Sequence, residues 1–195
     1  MPRPTFYFDL GSPYAYLAAE RLPQLMGEQL DWQPVSLGAL FKLTGRSSWA
    51  LGDPERRGAG MAEVARRAQH YGLPEVRWPD PWPGNYLSAM RAATFAEQAG
   101  AGHQFATVAL RQAFVHGRDL SIAEHVFAAA RDAGLDPAEV RAGTEDPQIK
   151  LALRQATDRA HALGVFGVPT LAIGTDLYWG DDRLDDAAAR LHESS

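Results

Sequence analysis

Strand-forming sequence is confined to the two ends of this chain. Thr5 to Leu10 reads Thr-Phe-Tyr-Phe-Asp-Leu, an aromatic, β-prone run that predicts a buried first strand. Asp31 to Leu37 predicts a second. From about Leu40 to Gly164 the signals are almost all helical. β character returns at Thr170 to Gly174 and Asp176 to Trp179, a hairpin-sized pair around Gly174-Thr175. The order is β-α-β, a helical block, then ββα. That is an α/β arrangement with no internal repeat and no linker long enough to separate independent domains.

The helix boundaries carry their own chemistry. Ser12 is a good N-cap, and Pro13 sits at the first helical position, where its missing N–H is no loss. The helix that follows carries Tyr14, Leu17, Ala18 and Leu22, and Pro23 predicts a kink or restart within it. Asp53-Pro54 starts another helix, with Met61, Val64, Ala68 and Tyr71 on one face. Gly72 and Pro74 stop it, and Arg66-Arg67 falls on its polar, solvated side. Arg77 to Asn85 reads as a loop lying over something apolar. Leu87 to Gly117 predicts two helices around Gly100 and Gly102. Ser121 with Glu124 forms a capping box, and Asp136-Pro137 and Asp146-Pro147 are two further starts. A last helix carries Leu184, Ala188 and Leu191.

Composition narrows the chemistry. The 195 residues suit one domain, or one with a sizeable insertion. A net charge of −5 argues against a nucleic-acid or anionic-membrane partner. No apolar run approaches the ~20 residues of a transmembrane helix, and no signal-peptide stretch precedes Asp9, so the expected location is cytoplasmic. The chain contains no cysteine. Disulfides, thiolate nucleophiles and thiolate metal sites are thereby excluded, and any sulfur chemistry must come from a ligand. The six histidines, at 70, 103, 116, 125, 161 and 192, show no metal spacing and read as surface or capping residues. Asp9 reads as a hydrogen-bond acceptor that fixes the loop before Ser12.

Two short stretches invite a functional reading. Ser12-Pro13-Tyr14-Ala15 is either a plain helix cap or an anion site, where a hydroxyl and the unpaired N–H groups of a helix N-terminus meet a thiolate, carboxylate or phosphate. Gly167-Val168-Pro169-Thr170 is either an ordinary entry into a strand or a cis-proline loop. In the second case the Val168 backbone could pair with an extended ligand.

Together, in a βαβ…ββα frame, these stretches resemble the thioredoxin superfamily with a helical insertion, as in DsbA-like proteins. The positions of that superfamily's Cys-x-x-Cys are here Ser12 and Ala15, which excludes dithiol redox chemistry. A serine at the first position resembles kappa-class glutathione transferases and the related 2-hydroxychromene-2-carboxylate isomerases. The matching stretches are Phe-Tyr-Phe-Asp-Leu-Gly-Ser-Pro-Tyr-Ala-Tyr-Leu-Ala from Phe6, Leu-Gly-Ala-Leu-Phe-Lys-Leu-Thr-Gly from Leu37, Gly-Val-Phe-Gly-Val-Pro-Thr from Gly164 and Tyr-Trp-Gly-Asp-Asp-Arg-Leu from Tyr178. The resemblance implies a thioredoxin-like domain from residues 1–39 and 147–195, with a helical insertion domain at 40–146.

It also implies a ligand and the residues that hold it. Ser12 would hydrogen-bond the sulfur of glutathione, or of another low-molecular-weight thiol. Val168, before a cis Pro169, would pair with its cysteinyl backbone, and Asp181 and Asp182 would hold its γ-glutamyl end. Arg57 would face its glycyl carboxylate. Where the family has Gly-Asn-x-Pro-Pro, this chain has Gly45-Arg46-Ser47-Ser48-Trp49, which places a charged contact, Arg46, at the asparagine's position. The implied activity is a glutathione-dependent isomerase acting on a small unsaturated aromatic substrate, with a homodimer as the family's common assembly. A kappa-class transferase or peroxidase acting on an electrophile is the first alternative. A redox-dead, thioredoxin-like module that binds a peptide or thiol is the second.

Overall fold

The computed structural model describes residues 3–27 and 30–192. Residues 1–2 and 193–195, at the ends of the expected thioredoxin-like segments, and the side chain of His192 lie outside the described residues. The chain folds around a mixed sheet of order β2-β1-β3-β4, made of β1 (Thr5–Phe8), β2 (Asp31–Pro34), β3 (Thr170–Ile173) and β4 (Asp176–Trp179). β1 runs parallel to β2 and antiparallel to β3. The parallel pair needs a crossover, which α1 (Pro13–Met26) supplies; β3 and β4 need only the turn at Gly174-Thr175. Between β2 and β3 lie α2 (Leu37–Thr44), α3 (Pro54–His70), α4 (Leu87–Gln98), α5 (Gly102–Phe114), α6 (Ala123–Asp132), α7 (Pro137–Glu145) and α8 (Pro147–Ala162). α9 (Leu184–His192) closes the chain after a 3-10 turn at Asp181–Arg183.

Successive side chains of a strand point to opposite faces, and β1 uses both. Phe6 and Phe8 enter the main apolar cluster, where the Phe6 ring meets Trp32 edge-on at 4.8 Å. Tyr7 turns the other way, onto Val35, Leu40, Val165 and Val168. Full burial of a phenylalanine or leucine contributes ~1.5–3 kcal/mol, so the central strand anchors both faces of the sheet. The main cluster continues without interruption through Ala18, Met90, Phe105 and Phe114 to Val140, joining the sheet to the helical block. No described helix is long and apolar enough to cross a membrane.

Three local expectations change. The second strand stops at Pro34, which the edge position of β2 tolerates, and Val35 N makes the next bond across to β1, to Phe8 O at 3.0 Å. Ser36 then caps a helix the sequence did not announce: its Oγ accepts from Ala39 N at 3.3 Å. α1 continues through Pro23 to Met26 and ends within a turn, where Gly27 at φ 66° donates to the Pro23 carbonyl. The Ser121–Glu124 capping box does not form. Asp119 takes both the Ser121 amide and hydroxyl, at 2.9 and 2.6 Å, and Ile122 stands at the cap position of α6.

Candidate active site

A cavity of about 990 Å³ opens where the start of α1 faces the loop before β3, with α2, the loop before α4 and the turn before α9 completing its walls. At one end stands Ser12, 3% exposed. Its Oγ accepts from Ala15 N at 3.2 Å, which leaves the hydroxyl proton free to donate outward. Pro13 has no N–H, and the Tyr14 amide makes no hydrogen bond to a described residue. The positive end of a 14-residue helix is thereby open toward the cavity.

Asp9 fixes this loop. Its two carboxylate oxygens accept from Gly11 N and Leu37 N, each at 2.8 Å, tying the approach to Ser12 to the first residue of α2. Burial raises its pKa, and those two N–H groups pull against the rise. Gly11 is there for space: a Cβ would come 2.5 Å from the Tyr86 ring. Across the cavity the Val168–Pro169 bond is cis. Pro169 O accepts from Gly180 N at 2.9 Å, whereas no described residue bonds the N–H or C=O of Val168. Extended backbone with an open donor and acceptor is what an added strand would use.

The other end is charged. Asp181 is 1% exposed. Its oxygens accept from Arg67 Nη1 at 2.8 Å and from the Tyr71 hydroxyl at 2.9 Å, and its carbonyl accepts from Arg21 at 2.6 Å. Burial raises the Asp181 carboxyl, and Arg67 and Tyr71 oppose that rise. Arg67 also donates through Nε to Glu63 at 2.7 Å and lies 5.4 Å over the Tyr14 ring. Burial works against its charge, but Glu63, Asp181 and Asp182 outweigh it and raise its pKa. Asp182 is the open member, its side chain 55% exposed and 3.6 Å from Arg67 Nη1.

Of the residues singled out in the sequence, Ser12, Val168, Pro169, Asp181, Asp182 and Arg46 all line this one cavity. Arg46 lies at its mouth, 4.1 Å over the Phe166 ring and 5.9 Å from that of Trp179. Arg57 is not brought to the wall. Its guanidinium turns to the Trp82 carbonyl and sits 5.7 Å from the Trp82 ring. The basic residue that α3 delivers to the cavity is Arg67, which sequence reasoning had left in solvent with Arg66. Arg66 is indeed exposed, on Glu63. The missed signal is spacing: Arg67 lies three residues after Val64 and four before Tyr71, on the edge of the buried stripe. The aromatic wall of Tyr14, Trp49, Trp82 and Tyr86 was also missed, apart from the loop that carries Trp82. Among the described residues no histidine lines the cavity. His125 bonds the Asp119 carbonyl at 2.8 Å, as a capping residue does, but His103 stacks on Trp32 at 4.6 Å.

Comparisons with known proteins agree on the frame. The DSBA-like thioredoxin domain pattern matches residues 5–192. A 2-hydroxychromene-2-carboxylate isomerase of Sphingobium xenophagum is 28% identical over 188 residues, covering 92% of this chain and 93% of that protein. Glutathione S-transferase kappa 1 of Homo sapiens is 24% identical over 208 residues, covering 96% and 89%. A solved 2-hydroxychromene-2-carboxylate isomerase structure superposes with a TM-score of 0.81 at 24% identity, over 98% of this chain and 96% of that one. A probable DsbA oxidoreductase from Streptomyces coelicolor reaches 0.79 at 21% identity, over 99% and 91%. At such identities the two structures speak for the fold.

Proposed function

The chain belongs to the family of DSBA-like thioredoxin domains, and from that premise we propose that it is a glutathione-dependent enzyme of the 2-hydroxychromene-2-carboxylate isomerase type. The observation that carries this reading is the pairing, across one cavity, of an uncommitted Ser12 hydroxyl at a helix start with an unbonded Val168 backbone. The names of the related proteins agree with it. With no cysteine in the chain, the nucleophilic sulfur is the ligand's.

Glutathione supplies a thiolate that adds reversibly to a conjugated double bond, permits rotation about the resulting single bond and leaves again. The chain's own groups prepare that sulfur. Ser12 is far too weak an acid to be a counter-charge, so it donates a hydrogen bond, while the open N-terminus of α1 favours the anion. Each unit by which the thiol pKa is lowered corresponds to ~1.4 kcal/mol of preference for the thiolate. Val168 N–H and C=O hold the cysteinyl backbone like an added strand. The aromatic wall of Trp49, Trp82 and Tyr86 receives a flat, unsaturated substrate and excludes water beside the sulfur. A kappa-type transferase would use the same groups and release the adduct, and product analysis separates the two.

The test is ultraviolet titration of the thiolate of bound glutathione in wild type and Ser12→Ala. Loss of a hydrogen bond to a charged partner is worth ~1.5–3 kcal/mol, so the bound thiol's pKa should rise by roughly one to two. Turnover at neutral pH should fall with it, while folding stability drops by only ~1 kcal/mol. Coincident titration curves with unchanged turnover would reduce Ser12 to a helix cap. Failure of glutathione to bind at all would leave the non-catalytic binding module.

A further inference from the structure

Helix α3 carries two glycines in its interior, Gly58 and Gly60, where alanine would make the better helix. Their surroundings differ. Gly58 is exposed, and nothing lies within 4 Å of the place its Cβ would take. A Cβ at Gly60 would overlap three ring atoms of the Trp49 indole, the farthest of them at 2.7 Å. The indole is therefore seated on bare α3 backbone, closer to the helix than a side chain at position 60 would allow. The turn that carries it is held separately. Ser48 Oγ accepts from Ala50 N at 3.1 Å, and Ala50 is buried.

Trp49 is also part of the cavity wall. Tyr14 meets it edge-on at 6.2 Å and Trp82 lies at 5.4 Å, so an indole pushed off α3 has the cavity to move into. We propose that Gly60 is a positioning residue for the acceptor substrate: by recessing Trp49 it sets the width of the acceptor site. The inference rests on the thiol reading above and extends it to what limits the size of the acceptor. Packed side chains leave little slack, and one methyl group added to a filled space displaces its neighbour. Gly60→Ala carries the indole into the cavity and excludes broad, fused-ring acceptors before it affects narrow ones.

Two S-conjugates of glutathione, S-benzyl and S-naphthylmethyl, test this, because they share the thiol half and differ only in the width of the group at the acceptor site. Calorimetric titration of the whole protein gives the ratio of their affinities. Gly60→Ala should lower that ratio, naphthylmethyl over benzyl, by about tenfold, within the range of an overpacked site. Gly58→Ala, on the same helix but in open space, should leave it unchanged. Gly60→Ala/Trp49→Leu should recover it, because the shorter side chain clears the new methyl group. A merely structural role would change stability, or both affinities alike, and leave the ratio in place. A ratio unmoved by Gly60→Ala, moved as far by Gly58→Ala, or not recovered by the second substitution overturns the proposal. Should Gly60→Ala fail to fold, Trp49→Leu decides alone: it widens the same space from the other side and should raise the ratio several-fold, and an unmoved ratio overturns the proposal. If wild type binds neither conjugate, the thiol reading falls and takes this inference with it. If both bind and the ratio does not respond, only the role of Gly60 falls.

Discussion

At the α1 end of the cavity the working groups are neutral and mostly backbone: the Ser12 hydroxyl, the Tyr14 amide and the Val168 N–H and C=O. At the opposite end, where α3 meets the turn before α9, Arg67, Asp181, Glu63 and Arg21 are charged and already bonded to one another. The difference reflects what each kind of group costs to leave open. Backbone dipoles are held by secondary structure and can face a cavity with little penalty. A buried charge cannot be left unpaired, so the network closes on itself and only its rim, Asp182 and one edge of Arg67, stays available. The neutral end suits chemistry at the sulfur, and the charged end suits recognition.

The largest effect should come from breaking the charged end. Asp181→Ala removes a fully buried partner of Arg67 and should cost ~3–5 kcal/mol of stability, read by denaturant unfolding. A loss below 1 kcal/mol would mean that solvent replaces Asp181 and that the network is not closed. A smaller loss is expected at the neutral end, where steric fit decides. Gly11→Ala places a methyl group against the Tyr86 ring and should cost ~1–3 kcal/mol, with turnover lost as the loop before Ser12 shifts. Unchanged stability and turnover would show that Tyr86 moves aside freely.

The finest distinction is spectroscopic. Tyr71 and Tyr86 are both pushed up to about 12, by burial first; at Tyr71 the hydrogen bond and charge of Asp181 add to it. Tyr16, buried near Glu20, is likewise pushed up to about 12. A phenol raised in the folded state favours folding while it is neutral. Its contribution is complete below pH 10 and is lost as pH rises through 12. Absorbance titration should show Tyr16, Tyr71 and Tyr86 ionising near pH 12, with Tyr7 and Tyr14 also raised above the ordinary phenol value by burial. In Asp181→Asn, Tyr71 should ionise closer to pH 10 while Tyr86 stays in place. Movement of both would mean that the two ends are not independent, and movement of neither would mean that burial alone holds Tyr71 up.

Much of the helical punctuation was legible because it is local. Asp53, Asp136 and Asp146 cap helices with proline next in sequence, and their oxygens take the first amides as the spacing requires. Ser12 was legible as a cap for the same reason. Arg57 and Arg67 were not separable by sequence. They lie ten residues apart on one helix, and which of them meets the cavity depends on where Trp82 and Asp181 arrive from distant parts of the chain. The capping box at Ser121 failed for a related reason: Asp119 lies closer and forms the tighter bond.

By itself the sequence determined that there is no sulfur in this protein, that strands occur only near its ends, and that a serine and then a proline open the first helix. These follow from residue identity and from contacts a few positions apart. Tertiary structure decided which polar groups are left open. Asp181 and Asp182 are neighbours in the chain, yet one is sealed under Arg67 and Tyr71 while the other faces the cavity. The backbone around the 3-10 turn before α9 points one carboxylate inward and the next outward. The inward one must find a cation, and helix α3, more than a hundred residues earlier, supplies the half-buried Arg67.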